Sequence, residues 1–369
     1  MLKLILLTGM IVSTLYGQQK LSVHGYLTQA YAVSSKYSIF GIPKEGTSDY
    51  RNLALQFRYE ATDNSNFVIQ LSHKRIGVSP VMKIEPDIKL DWAFFEYKFS
   101  GDFSIKLGKI QLPFGIYNEI RDVGILLPFY QVPYTPYGES NYMSETVDGF
   151  KISYEFFLSP DWIQSIDLYY GQWEWLEWFI IPIPFEQTVL DHAKMTNAYG
   201  AQTWSTTPVE GLRFGLGGYL GKINGGITFA PNGWLGSEKI YTGLASLDFT
   251  RDSYFLRTEY ARFHLENNDI SANSIYFQTG ITLIEPLSLN TQASLYQILN
   301  APSFVHNQKV DINYFKDFAV GLKYDFRYNI VLKGEFHWNK SFVVEKPIYD
   351  IADKPYSTNY FILSFSTSF

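Results

Sequence analysis

The chain contains no cysteine. That excludes disulfides, thiol catalysis and cysteine-ligated metals, and it is compatible with export, because an exported protein of this size does not need disulfides. Charge is also scarce. Asp, Glu, Lys and Arg make up 18% of the 369 residues, against about 25% in typical domains. Lys and Arg together (30) are outnumbered by Asp and Glu (36), so the basic footprint that nucleic acid requires is missing. Beyond the first residues no apolar run approaches the ~20 residues of a spanning helix. If the chain crosses a bilayer, it must do so as a closed barrel, because only helices and barrels satisfy every backbone hydrogen bond in lipid.

Catalytic motifs are missing too. There is no GxxxxGKS/T phosphate loop and no GxSxG elbow. The histidines (His24, His73, His192, His264, His306, His337) are scattered, without HExxH or paired spacing. They read as wall residues, and the chain reads as a non-enzyme with no cofactor and no metal. The glycine-rich GLGGYLGKINGG (215–226) lacks phosphate-loop spacing; small side chains against a bore explain it better.

Aromatic residues are abundant, with 28 Tyr, 29 Phe and 8 Trp. Many rings and few charges suit a protein with a greasy outside and a wet inside. At the start, Lys3 precedes an apolar run from Leu4 to Val12 that ends in small residues near Gly17. This is the pattern of a secretory signal. The expected division is a signal peptide at 1–17 and a barrel at 18–369.

From Leu21 onward roughly ten alternating residues and a connection recur. In NLALQFRYEA (52–61), Leu53, Leu55, Phe57 and Tyr59 face one way, and Ala54, Gln56, Arg58 and Glu60 the other. Comparable stretches lie at 21–33, 67–74, 89–100, 103–109, 149–157, 162–172, 198–205 and 212–222. The remainder lie at 239–250, 253–264, 273–284, 287–298, 315–326, 329–339 and 358–369. A tilted barrel wall requires strands of ~9–11 residues. The connections alternate between tight turns, such as 63–65, 100–102, 251–252 and 327–328, and long ones, such as 34–51, 75–88 and 341–357. Outer-membrane barrels show this asymmetry, with short periplasmic turns and long outer loops. A soluble propeller would show a repeat of fixed period, and none is visible. The fold class is therefore all-β: a transmembrane antiparallel β-barrel of about sixteen strands, located in the outer membrane and in contact with its lipid.

A charge facing lipid at mid-depth costs ~2–4 kcal/mol, so the wall charges belong inside. The expected pore lining includes Arg58, Glu60, Lys106, Lys151 and Arg213, with Glu96, Gln70, Lys98 and Glu155 nearby. On the later strands it includes Arg257, Glu259, Lys323, Asp325, Lys333 and Glu335. Opposite signs often stand two apart, as in Arg58/Glu60, Arg257/Glu259, Lys323/Asp325 and Lys333/Glu335. These charges either create a transverse field for solutes or neutralise one another as pairs.

The segment after the fifth strand, 109–146, is dense in aromatics and punctuated by Pro113, Pro128, Pro133 and Pro136, which suppress strand pairing. Within it Glu119, Arg121 and Asp122 supply charge among Phe114, Ile116, Tyr117, Leu126, Leu127, Phe129 and Tyr130. GKIQLPFGIYNEIRDVG (108–124) is similar to the GK-x-x-x-PFG segment of outer-membrane porins, a group that includes phosphate-selective members. That resemblance implies a third loop folded into the bore, with Glu119, Arg121 and Asp122 at the constriction, and it implies a trimer. Phosphate-selective members would carry a ladder of Arg and a cluster of Lys; this loop supplies only Arg121 between two acids, so phosphate selectivity is not carried over. The last strand ends at Phe369, which resembles the signal read by the barrel insertion machinery.

One outer connection is unusual. GQWEWLEWFIIPIPFEQ (171–187) places Trp173, Trp175, Trp178 and Phe179 where water is expected. Exposed apolar surface of this extent means contact, whether with its own chain, a second protomer, the membrane surface or an apolar ligand. The sequence thus points to a porin passing small hydrophilic solutes or ions by diffusion. The alternative is a surface-binding barrel, an adhesin or receptor, whose lumen its own loops plug.

Overall fold

The computed structural model describes residues 20–84, 86–138, 142–181, 187–229, 234–303, 307–326, 329–347 and 354–369. The signal segment 1–17, the turn 327–328 and the tip 182–186 of the Trp-rich stretch lie outside the described residues.

The described residues form β1 (Leu21–Ser34), β2 (Thr47–Thr62), β3 (Ser65–Ile76), β4 (Lys89–Lys98), β5 (Phe103–Gln111), β6 (Thr146–Ser159), β7 (Trp162–Ile181) and β8 (Gln187–Thr206). These are followed by β9 (Leu212–Gly225), β10 (Glu238–Arg251), β11 (Tyr254–Leu265), β12 (Ile270–Ile284), β13 (Leu287–Ser303), β14 (Gln308–Phe326), β15 (Ile330–Ser341) and β16 (Tyr356–Ser368). Each strand pairs antiparallel with its neighbours in sequence, and β1 closes on β16, giving a barrel of sixteen strands. Closure leaves no strand edge unpaired. At the seam Gly25 and Phe369 exchange backbone hydrogen bonds of 3.0 and 3.1 Å. The Phe369 ring lies where a Cβ on residue 25 would sit, 2.6 Å from that position, so the chain end needs glycine there.

Period-two alternation sets which side chains face out. Leu55, Ile69, Leu107, Leu216, Ile275, Leu322, Leu332 and Leu363 are exposed although apolar. Aromatic pairs bracket this belt, Tyr97–Phe99 (4.8 Å) and Tyr324–Phe326 (4.5 Å) toward the turns, and Tyr170–Tyr199 (4.7 Å) toward the loops. An apolar belt between two aromatic girdles is the outer surface a lipid-spanning barrel requires. Inside, polar residues share register rows. One row runs Ser246–Glu259–Tyr276–Ser294–Asp317–Asn339–Thr358 across β10 to β16, and all seven are buried.

The described part of the segment 171–187 is not the outer connection expected from sequence. It continues the wall: β7 runs to Ile181 and pairs with β8 as far as Ile181↔Gln187. Trp173 and Trp175 alternate with Glu174, which suits a pleated strand, and both indoles turn inward and are buried. Trp173 Nε1 donates to the Tyr142 carbonyl at 3.2 Å, and Trp175 meets the Tyr142 ring edge-on at 5.9 Å. Trp178 and Phe179 are half-buried, Phe179 lying 5.1 Å from Trp234.

Candidate functional site

Residues 112–138 and 142–145, between β5 and β6, lie inside the barrel and touch its wall on several sides. Prolines keep the segment out of the sheet, and aromatic residues then bury it. Leu112, Phe114, Ile116, Tyr117, Leu127 and Tyr137 belong to one apolar cluster that also takes in Trp173, Tyr219, Phe263 and Tyr296 from the wall. Tyr130 belongs to a second cluster, with Tyr50, Tyr360, Ile39 and Val344.

Polar wall residues fasten the loop by its backbone. Gly115 N–H donates to Gln202 at 2.9 Å, and Ile116 N–H to Glu259 at 2.9 Å. Glu259 also accepts from Ser246 (2.6 Å), Tyr276 (2.8 Å) and the Tyr137 hydroxyl. Across the bore, Lys333 Nζ donates to the carbonyls of Gly124 (2.9 Å) and Phe129 (2.7 Å). Lys323 donates to the Ile125 carbonyl at 3.0 Å, and Glu335 accepts from Tyr130 N–H at 2.7 Å. Gly124 sits so close to β1 and β16 that a Cβ would meet Thr28 Oγ1 at 2.2 Å and Ser366 Oγ at 2.6 Å.

These contacts separate the expected lining residues into two groups. Glu259 and Lys333 are each 1% exposed; they and Glu335 hold the loop instead of facing open water. The pairing expected along single strands holds for Lys323–Asp325 (3.4 Å) and, at the limit, for Arg58–Glu60 (4.0 Å). It fails for Arg257 and Glu259. Arg257 turns to Asp248 (3.1 Å) and the Tyr117 hydroxyl (3.0 Å), because the loop backbone has taken Glu259. Asp248 also holds Arg213 at 2.8 Å, and that guanidinium lies 4.4 Å from the Trp204 ring centre.

The three expected constriction residues do not pair with one another. Glu119 meets Lys151 at 3.2 Å, and Lys151 also meets Asp167 at 3.6 Å. Arg121 meets Glu145 at 3.5 Å. Asp122 accepts from Asn52 at 2.7 Å and lies 3.6 Å from Lys74. Lys74 in turn stands 3.8 Å from Glu145. Lys74 was legible as inward-facing, since Gln70, Ser72 and Lys74 share one strand face; no sequence signal marked Glu145. Burial and the Glu145 charge push the Asp122 carboxyl up. Burial also opposes charge on Glu145, yet Arg121, Lys74 and Lys89 hold it well below the usual carboxylate range.

The result is a charged track along the β2–β6 wall, beside the two apolar clusters. Asp49, which holds Arg51 (2.6 Å) and Arg75 (2.7 Å), is not part of it: Arg51 and Arg75 are register partners on the outward face, while their neighbours Asn52 and Lys74 turn inward. Lys74, Arg121, Asp122 and Glu145 form the loop-side end of the track. Toward the turns, Glu96 meets Lys106 (3.6 Å) and Arg58 (3.8 Å). All members beyond Glu96 and Lys151 keep some exposure. Among the described residues no group of three His, Cys, Asp or Glu could hold a metal.

No family model matches the sequence, and no curated protein matches it. Solved structures do resemble the fold. Salmonella typhi OmpF, solved with daunomycin, gives a TM-score of 0.62 at 11% identity, covering 95% of this chain and 97% of its own. The outer membrane channel DcaP of Acinetobacter baumannii gives 0.58 at 10% identity, covering 95% and 97%. The anion-selective porin from Comamonas acidovorans gives 0.54 at 11% identity, covering 95% and 99%. At such identities the likeness is one of fold: this chain is a closed sixteen-stranded barrel built like those proteins.

Proposed function

We propose that the chain is an outer-membrane channel through which small hydrophilic solutes and ions diffuse passively, formed by residues 18–369 after removal of an export signal at 1–17. The charged track from Lys74 to Arg58 carries this reading. A wall that only needed to fold would bury apolar residues there, as it does beside the two clusters. The track instead keeps ionised groups partly exposed at every level, which a water-filled path stabilises and a dry interior penalises. Lys74, Arg121, Asp122 and Glu145 form its narrow part. Cations and carboxylates alternate along it, so the selectivity is weak and set by Arg121 and Lys74. One neighbour, OmpT of Vibrio cholerae, is described in a trimer form, and a homotrimer belongs to this reading, as does recognition of Phe369 by the insertion machinery. Planar-bilayer recording tests it. Discrete conductance steps support it; no conductance after verified insertion rejects it.

A second reading has an observation of its own. The internal loop is bonded to β8, β11, β14 and β15, as a plug would be, and Phe179 of the β7–β8 hairpin meets Trp234 of the β9–β10 connection. A plugged receptor would conduct little and would lose its partner on Trp178→Ala.

A further inference from the structure

The outer face of the barrel carries a group of lysines that, among the described residues, form no ion pair. Lys316 of β14 and Lys340 of β15 are register partners. Both are exposed on the outward strand faces, two residues beyond Phe318 and Trp338. Lys354, from the loop leading into β16, lines with them a cavity of about 240 Å³. Among the described residues none of the three has a carboxylate within ion-pair distance. Asp311 lines the same cavity, its Oδ1 accepting the Asn300 N–H at 2.9 Å, so three lysines face one carboxylate there and the balance is positive. Like charges directly opposite on neighbouring strands destabilise the pair. Elsewhere at the loop-side rim exposed lysines meet carboxylates. Lys239, opposite Lys222, meets Glu266 at 3.0 Å; Lys194 meets Glu174 at 3.3 Å; Lys309 meets Asp269 at 3.7 Å. Among the described residues Lys316 and Lys340 have no such partner.

The height of the three lysines indicates what they face. Trp338 packs 5.6 Å from Phe318 and 4.7 Å from Phe336, an aromatic patch suited to the membrane–water boundary. A strand rises about 3.4 Å per residue and a barrel strand tilts by about 35–45°, so Lys316 and Lys340 start about 5 Å above that patch. That is the headgroup layer, which long cationic side chains reach. We propose that Lys316, Lys340 and Lys354 form a binding site for the phosphate groups of an outer-leaflet lipid headgroup. Basic pockets at this level recognise anionic headgroups, and a cavity lined by three lysines and one aspartate keeps a net positive charge that suits a phosphate ester. The proposal rests on the outer-membrane reading above, since it requires the loop end to face an outer leaflet.

The test uses the full chain in phosphatidylcholine vesicles containing diphosphoryl lipid A. After detergent extraction, retained lipid A is quantified by native mass spectrometry. The wild type is expected to retain lipid A. The triple variant Lys316→Gln, Lys340→Gln, Lys354→Gln is expected to lose at least about tenfold in retention. Dephosphorylated lipid A should be retained no better than phosphatidylcholine, an arm that needs no variant. Equal retention by the triple variant, or of the dephosphorylated lipid, overturns the proposal. Displacement of lipid A by inorganic phosphate at equal concentration assigns the site to a soluble anion and overturns it likewise. Absence of conductance in the same preparation rejects the channel reading while the lipid result stands.

Discussion

The Glu335 carboxylate accepts the Tyr130 N–H at 2.7 Å, tying β15 to a loop that leaves the wall at β5. Two residues away on the same strand face, Lys333 holds the same loop by two of its carbonyls. The charges that a strand-by-strand reading assigns to a lumen thus serve here as anchors. Lys333→Met leaves the Gly124 and Phe129 carbonyls without this donor, at a cost of about 1–3 kcal/mol. A lower unfolding midpoint in urea and a larger or noisier unit conductance are expected. Unchanged values of both would show that the loop is held by its apolar contacts alone.

Gly124 lies close against β1 and β16. Gly124→Ala places a methyl group against Thr28 and Ser366, whose hydroxyls are bonded at 3.0 Å. The loop must shift or that bond must break, costing about 1–3 kcal/mol as overpacking. Faster cleavage within 112–138 by an added protease is the expected readout.

Arg121 is the loop's own cation in the narrow part of the track, 3.5 Å from Glu145. Arg121→Glu reverses its sign beside a carboxylate. The reversal potential in a salt gradient is expected to move toward cation selectivity, and less so as ionic strength rises, because screening shortens the reach of the charge. A potential that does not move would place Arg121 off the conduction path.

Glu345, between β15 and β16, accepts the Gly41 N–H at 2.5 Å and joins the last outer loop to the first, where Ile39 and Val344 also pair. Burial pushes its carboxyl up to about 7 from 4.5, although the Gly41 hydrogen bond works the other way. The folded form therefore holds a proton that the unfolded chain has released at the same pH. By linkage, stability falls as pH rises from about 4.5 to about 7 and levels off above. Glu345→Gln should remove this dependence while keeping an acceptor for Gly41. Thermal midpoints of both proteins between these pH values check it; parallel profiles would contradict it.

The strands were legible because a lipid-facing wall needs one apolar residue in every two. That periodicity survives in β2, where Leu55 and Tyr59 are exposed and Ala54 is buried. Extensions of strands beyond the belt were not legible. At Trp173 and Trp175 the indoles face inward onto the internal loop, so apolar residues mark the inner face there and the pattern inverts. The charged residues were legible as inward-facing, but their partners were not. Whether Arg257 meets Glu259 or Asp248 depends on which of them the loop backbone claims, and that loop carries no periodicity. Glu145, which organises Arg121 and Lys74, stood in the sequence as one acid among several.

The absence of cysteine makes the central claim directly testable, because a single introduced thiol is the only one present. Lys74→Cys is recorded in a planar bilayer while a charged methanethiosulfonate reagent is added. Passage along the β2–β6 wall requires a stepwise fall in conductance as the thiol is modified. Conductance that persists unchanged through verified modification would contradict the account.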